Sequence, residues 1–336
     1  MHRMPTIRDV AREAGVSVTA ASRALNGRGE LSPEKRARVL EAAARLNFVP
    51  SAVARALVSG KTKTLGMVIT DNASPVYADI VKGVEAAAKR AGFGILLCNS
   101  ADSQDQALAC LALFQAKQVD GVLLTPVQSD RRDIEFLQQA GIPHILLLRH
   151  FGDPDTDAVI TDNVAGGRLA TNHLIERGHT RIAHIAGPAH TSSAQGRLAG
   201  YLAALGEHGL ASDPALIRHA PYTIEGGYQA ALPLLSEPDR PTAIFAANDL
   251  IAIGVMKAAR ELGLRIPDDL ALVGGDNIEL AEYLAVPLTT FRQPAWEIGA
   301  HGAELLLARL HGEREHAEQV VLPTELIVRA SSGGPR

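Results

Sequence analysis

From Leu65 onward, short apolar runs rich in Val, Ile and Leu alternate with stretches of helical periodicity, and this alternation restricts the chain more than any other feature. LGMVIT, GILLC, GVLLT, HILLL and AVIT read as strands, with helices predicted over 77–91, 103–117 and 131–140. The series then repeats in kind. RIAHIAG, TAIFAA and LALVGG read as strands, with helices over 165–177, 194–208, 226–235 and 250–262. Alternation of this sort produces parallel sheets covered on both faces, and roughly 270 residues of it is too much for one sheet. The expectation is an α/β body of two doubly wound parallel sheets.

The first sixty residues follow different rules. Ile7, Val10, Ala11 and Ala14 recur at helical spacing after the N-cap Thr6, and Gly15 breaks the pattern. Ser17 is a second N-cap, followed by a stripe through Ala20, Ala21, Ala24 and Leu25 that ends near Asn26. Ser32-Pro33-Glu34 starts a third helix, whose stripe runs through Val39, Ala42, Ala43 and Leu46. Two short helices joined by a tight glycine turn and closed by a third read as an all-α helix-turn-helix head over 1–50. The second helix would expose Val18, Thr19, Ser22 and Arg23, side chains of a size and hydrogen-bonding type that reach base edges in a major groove. A short helix-competent run over 51–58 and the basic linker Lys61-Thr62-Lys63 follow. So short a helix is marginal alone and needs a partner to fold.

Charge separates the two parts. Residues 1–63 contain 12 Lys+Arg against 5 Asp+Glu, a balance of +7, whereas 64–336 contain 21 against 32, or −11. A basic head on an acidic body suits a polyanion-binding module fused to something else. Cys98 and Cys110 fall in apolar patterns and are expected in cores, with no disulfide framework and no metal site. MHRMPTIRDV lacks an apolar signal run, and no apolar run approaches the roughly 20 residues of a membrane helix, so a cytoplasmic protein is expected.

TIRDVAREAGVSVTAASRALNG, LNFVPSAVARAL and SGKTKTLGMVI resemble, in residue choice and spacing, the opening of the LacI/GalR family of bacterial transcriptional regulators. The likeness continues in order through DAVITDN, HLIERGHTRIAHIAG, GRLAGY, AIFAANDLIAIG, LALVGGDN, PLTTFRQP and LPTELIVR. The resemblance implies a periplasmic-binding-protein-like bilobed effector and dimerisation domain over 64–336. Its N-subdomain would span about 64–161 and 293–323, and its C-subdomain about 162–292 and 324–336. Residues 51–63 become a hinge, in which Ala54, Arg55 and above all Leu57 would enter the minor groove. The partners implied are palindromic operator DNA, a small-molecule effector such as a carbohydrate, and a second copy of the chain.

In open parallel sheets a ligand sits beyond the C-terminal strand ends, and two facing lobes make a cleft there. The polar residues just after strands are Asp71, Asn72, Thr125, Arg149, Asp162, Asn248, Asp249, Asp276 and Asn277. Each alone is more often a helix N-cap than a ligand contact, but collected at one end of two sheets they make a polar pocket. By resemblance, the effector contacts fall on Arg197, Asn248, Asp276 and Gln293, with Tyr222 as a stacking ring and Tyr77 and Thr125 in the other lobe. Gly275 stands where an aromatic usually precedes this Asp, and Leu148 where an acid often precedes an Arg like Arg149. Both departures imply a roomier, less acidic pocket.

No catalytic constellation or cofactor site emerges. Ser32-Pro33-Glu34-Lys35 lies at a helix start, where capping explains it better than acyl transfer. Asp153, Asp155 and Asp157 lack the glycine and the terminal Glu of a calcium loop. His179 and His184 have the wrong spacing for a shared metal. The sequence is therefore read as a regulator, most simply a repressor, with a solute-binding protein or a sugar-processing enzyme of the same bilobed fold as the alternatives.

Overall fold

The computed structural model describes residues 5–25, 31–48, 60–127, 130–314 and 316–333, and the chain forms two compact units that divide after Lys63. In the first unit Ile7–Ala14 (α1), Val18–Leu25 (α2) and Pro33–Arg45 (α3) pack around two valines, Val10 and Val39, and six alanines. Side chains this small let three short helices approach closely enough to exclude water. Gly15 closes α1 in the left-handed conformation, at φ 62°, which turns the chain into α2. Ala20 N–H donates to Ser17 Oγ at 3.1 Å, and Lys35 N–H to Ser32 Oγ at 3.4 Å, so both serines cap. At Thr6 the arrangement differs from a simple cap, because the Asp9 carboxylate accepts both Thr6 N–H, at 2.9 Å, and the Thr6 hydroxyl, at 2.7 Å.

The second unit holds two six-stranded sheets among the described residues. The first contains Thr64–Ile69 (β1), Gly94–Asn99 (β2), Gly121–Leu124 (β3), His144–Leu147 (β4), Ala158–Thr161 (β5) and Gln319–Leu322 (β11), in the order β11-β5-β4-β3-β1-β2 and parallel throughout. The second contains Ile182–Ala186 (β6), Ile217–His219 (β7), Ala243–Ala246 (β8), Ala271–Asp276 (β9), Thr289–Arg292 (β10) and Leu326–Ile327 (β12), in the order β12-β10-β9-β8-β6-β7, with only the β10/β12 pair antiparallel. The chain thus leaves the first sheet after Thr161, returns after Arg292 and crosses again between Leu322 and Leu326. Within each lobe the second strand lies outside the first and the third on its other side, which makes a switch point where ligands bind.

Helices Pro75–Arg90 (α4), Gln104–Ala116 (α5) and Arg132–Gln139 (α6) belong to the first lobe. Asn163–Glu176 (α7), Ser192–Glu207 (α8), Ile224–Ser236 (α9), Asp249–Glu261 (α10) and the single turn Leu280–Tyr283 (α11) belong to the second. Ala295–Leu310 (α12) comes after β10 but packs against α4 of the first lobe. The sequence reading placed the core helices within two or three residues and left out α11, α12, β7 and the last three strands.

His184 lies in the second core with its Nδ1 2.9 Å from Phe245 O and its ring stacked on Phe245, and burial holds its pKa down to about 3. It is a neutral packing residue. Asp153 accepts N–H from Asp155 and a guanidinium from Arg131, which makes a turn rather than an ion loop. The cysteines are free and half-buried rather than fully in the core, and burial followed by the neighbouring Cys98 pushes the Cys110 thiol up to about 11. Among the described residues no helix is long and apolar enough to cross a membrane.

Candidate functional site

In the head, Ser17, Val18, Thr19 and Arg23 are exposed, Ser22 and Thr6 are half-buried, and Ala21 and Ala24 face the core, whereas Ala20, expected in the same stripe, is only half-buried. Val18 leaves 43% of its surface in water at the start of α2, although smaller alanines beside it are buried. Asn26, Ala54, Arg55 and Leu57 lie outside the described residues. The exposed face of α2 therefore carries one apolar, one hydroxyl and one guanidinium group side by side.

In the body a cavity of about 330 Å³ opens between the lobes, at the C-terminal ends of both sheets. Thr70, Asp71 and Tyr77 reach it from the first lobe, with Asp102 after β2 and Leu148 and Arg149 after β4. Ser193, Arg197, Tyr222, Asn248, Asp276 and Gln293 reach it from the second. Of the ten residues expected around an effector, seven are brought together here. Three are not. Asn72 is exposed beside Asp71 rather than turned to the cavity, and Thr125 is wholly enclosed. Asp162 spends its carboxylate on capping α7, accepting Ala165 N–H at 2.8 Å. Sequence reasoning missed Thr70, Ser193 and Asp102, which have small side chains inside loops or helix starts that no periodicity marks.

Arg197 organises the second lobe's wall. Its Nε donates to Asn163 Oδ1 at 2.9 Å, one Nη to Ala247 O, and the other to Asp276 Oδ1 at 3.0 Å and Gln293 Oε1 at 3.3 Å. Four of the five guanidinium donors are thus engaged by protein, which leaves one for a ligand. Its plane rests on the Phe291 ring, 4.8 Å from the centroid. Phe291 also decides what Gly275 is for: a Cβ there would stand 2.4 Å from that ring, and the two residues are paired across β9 and β10. The space expected to be open at Gly275 is filled from the neighbouring strand. Three carboxylates, Asp71, Asp102 and Asp276, still face two guanidiniums across the cavity, so Leu148 does not make it basic.

Burial pushes the Asp276 carboxyl up, while Arg197 and the Asn248 amide pull it back. Asn248 serves twice, since its Oδ1 also caps α10 by accepting Ile251 N–H at 2.9 Å. On the opposite wall Arg149, almost wholly buried, donates to Asp102 Oδ1 at 2.9 Å and to Pro126 O at 3.3 Å. The Tyr77 hydroxyl pairs with Thr70 Oγ1, and burial raises its pKa, so the phenol stays neutral. Leu148 and Asp276 both have left-handed φ, 64° and 100°, and Arg149 N–H closes a three-residue turn on Leu147 O at 2.7 Å. Non-glycine residues hold such angles only where the surroundings fix them, and ligand sites are where they collect. Ion-paired walls, the neutral Tyr77 phenol, the Tyr222 hydroxyl and amides offer a cavity of alternating donors and acceptors, suited to a compact, uncharged, polar molecule.

Comparison with known proteins adds to this geometry. A family model described as "Bacterial regulatory proteins, lacI family" matches residues 6–51, and one described as "Periplasmic binding protein-like domain" matches residues 171–332. The chain is 36% identical to the HTH-type transcriptional repressor PurR of Edwardsiella ictaluri, over 99% of this chain and 98% of that protein. It is also 36% identical to the ribose operon repressor of Escherichia coli (strain K12), over 98% and 100%. Its structure is similar to that of the lac repressor dimer bound to operator and the anti-inducer ONPF, with a TM-score of 0.88 at 29% identity, covering 98% of this chain and 99% of that one.

Proposed function

The chain belongs to the lacI family of bacterial regulatory proteins and is a DNA-binding transcriptional regulator under small-molecule control; from that premise we propose that it is a repressor whose effector is a neutral carbohydrate held between the lobes. The observation that carries the effector class is the cleft itself, where Asp102 engages Arg149 and Asp276 engages Arg197, leaving hydroxyl, amide and single N–H groups, with the Asp71 carboxylate as a further acceptor, for a polyol. The protein acts as a homodimer on a palindromic operator, with effector-dependent rearrangement of the lobes changing how well the paired hinges over 51–63 fold on DNA. A thermal-shift screen of D-ribose, other sugars, sugar acids and nucleobases tests the class, because a ligand of the folded state raises the melting temperature. A response to an anionic sugar acid or a nucleobase, with none to any neutral sugar, would exclude it.

Base reading is assigned to Thr19 and Arg23, supported by Ser17, Val18 and Ser22, with Thr6 and Asn26 as further DNA contacts. Arg23→Ala should cost about 1 to 3 kcal/mol at the operator and relax preference at one base pair, with non-specific binding changed less. Selection from randomised sites checks this, and an unaltered preference would reject the assignment. In the hinge, Leu57 is assigned as the apolar wedge at the operator centre, flanked by Ala54 and Arg55. Leu57→Ser should weaken operator binding and reduce the DNA bend, while dimerisation and effector affinity stay unchanged. Equal bend and equal affinity would remove Leu57 from the interface.

A further inference from the structure

Beneath the cleft lies a carboxyl that does not line the cavity. Asp249, the first residue of α10, is wholly buried. Its Oδ2 accepts Ile278 N–H at 2.8 Å, and its Oδ1 lies 2.6 Å from Thr290 Oγ1, which in turn accepts Asn277 N–H at 3.2 Å. The far side of the same turn is held by Arg329, whose guanidinium donates to Asn277 Oδ1 at 2.9 Å. These bonds span Asp276 and Asn277, two successive non-glycine residues at positive φ, 100° and 53°. Left-handed pairs of this kind persist only when their surroundings fix them. Asp249 is therefore a main fastening of the turn that aims the Asp276 carboxylate at Arg197.

The charged groups that face Asp249 are Asp276 on β9 and Arg197 on α8, and no described cation pairs with it directly. Burial pushes its carboxyl up to about 8 and the negative charge of Asp276 adds to the shift, while the Thr290 hydroxyl, the Ile278 N–H and Arg197 pull it back without offsetting the burial. Arg197 is in contact with Asp276 instead. One guanidinium thus stands beside two carboxyls, of which it neutralises one. We propose that Asp249 is a positioning residue and the pH sensor of this cleft: uncharged, it fixes the turn that pairs Asp276 with Arg197, and charged, it competes with Asp276 for that guanidinium and loosens the hold on a ligand.

This rests on the cleft being the effector site, so the test begins without any ligand. For a buried acid whose folded pKa lies above its unfolded value, the neutral form is favoured by folding. Stability is then greatest at low pH and erodes as pH rises from about 4 through about 8. Against the uncharged, isosteric Asp249→Asn variant, the melting temperature of the wild type should therefore fall across that window. The infrared carbonyl band of a protonated carboxyl should persist in the wild type at neutral pH, vanish above about pH 9, and be missing from Asp249→Asn. The Arg197 Nε–H resonance, assigned through Arg197→Lys in ¹⁵N-arginine-labelled protein, should shift with the same midpoint in the wild type and stay fixed in the variant. A purely structural Asp249 would not move that resonance. Titration of Asp249 in the ordinary carboxylate range, or an Arg197 resonance indifferent to it, would overturn the proposal whatever the ligand.

With D-ribose as probe, calorimetric affinity should fall at least threefold between about pH 7 and pH 9 in the wild type, stay level in Asp249→Asn, and be weak throughout in Asp249→Ala. A pH-dependent wild type matched by an equally pH-dependent Asp249→Asn would assign the effect to another group and reject the sensor. If D-ribose fails to bind, the choice of sugar is what fails, and the ligand-free titrations still decide the role of Asp249.

Discussion

Replacing Asp276 by Ala is expected to leave a protein that binds its operator at nearly wild-type strength and no longer answers its effector. The carboxylate lies at the cavity wall, 3.0 Å from the Arg197 guanidinium, and the unit that holds it divides from the head after Lys63. Losing it removes an acceptor for a ligand hydroxyl and releases Arg197 from the direction it now holds. An unpaired polar group in a closing site costs about 1 to 3 kcal/mol, which is roughly five- to 150-fold in affinity. If the effector induces, the variant represses permanently; if it is a corepressor, the variant never represses. The competing role for Asp276 is a helix cap, but the turn that follows, Leu280–Tyr283, starts from Glu279 instead. A capping loss would lower stability and spare the response. Following melting temperature and operator binding while titrating effector separates the two, and a full response at an unchanged midpoint would take Asp276 out of the effector site.

Asp276→Asn should behave differently. The amide oxygen can still accept from Arg197, so the fold is kept, but the charge that balances the guanidinium is gone. Partial response with a shifted midpoint is expected there. The pair of variants reads charge and geometry separately.

Most of the architecture was legible because each level of the sequence agrees with the next. The Val/Ile/Leu runs are short enough for strands and lie between amphipathic stretches, which only a covered parallel sheet accommodates. The head was legible for another reason: its caps, Ser17 and Ser32, stand one residue before helices that carry stripes of 3.6 periodicity. What escaped is what depends on distant partners. Helix α12 carries glycines at 299 and 302, which lower helix propensity, yet Gly299 is where α4 crosses so closely that a Cβ would stand 2.0 Å from Ile80 O. β11 and β12 are four and two residues long, and they become strands only because β5 and β10 present free edges to them.

The candidate site was legible by position rather than by chemistry. Placement after strands selected Asp162 and Asn248 alike, and both turned out to cap helices. Only Asn248 also faces the cavity, because its amide has a second partner in Asp276. The resemblance to a family flagged Gly275 as a gap, whereas the ring that fills the gap comes from a residue 16 positions later in the chain. Such an exchange between paired strands is invisible without the β9/β10 register, which sets Phe291 opposite Gly275.

That exchange carries the largest stability effect expected in the molecule. Phe291 is fully buried, supports the Arg197 guanidinium, contacts Phe245 edge-on and sits against Gly166 and Gly275. Phe291→Ala should cost about 3 to 5 kcal/mol through lost contacts and a residual cavity. In a unit of this size that lowers the melting temperature by on the order of 10 °C. Phe291→Leu keeps more of the volume but removes the π face, so effector affinity should drop beyond what stability explains, by about 0.5 to 2 kcal/mol. Gly275→Phe alone should also destabilise, by roughly 1 to 3 kcal/mol, since even its Cβ collides with the existing ring. Combined with Phe291→Val, however, the new ring can occupy the vacated space from the β9 side. The double variant should be more stable than the sum of the singles by about 0.5 to 3 kcal/mol, as residues in direct contact couple. Denaturant melts of the four proteins measure that coupling. Strict additivity would mean that Gly275 is small for some reason other than the Phe291 ring, and the account of how this cleft is floored would have to be given up.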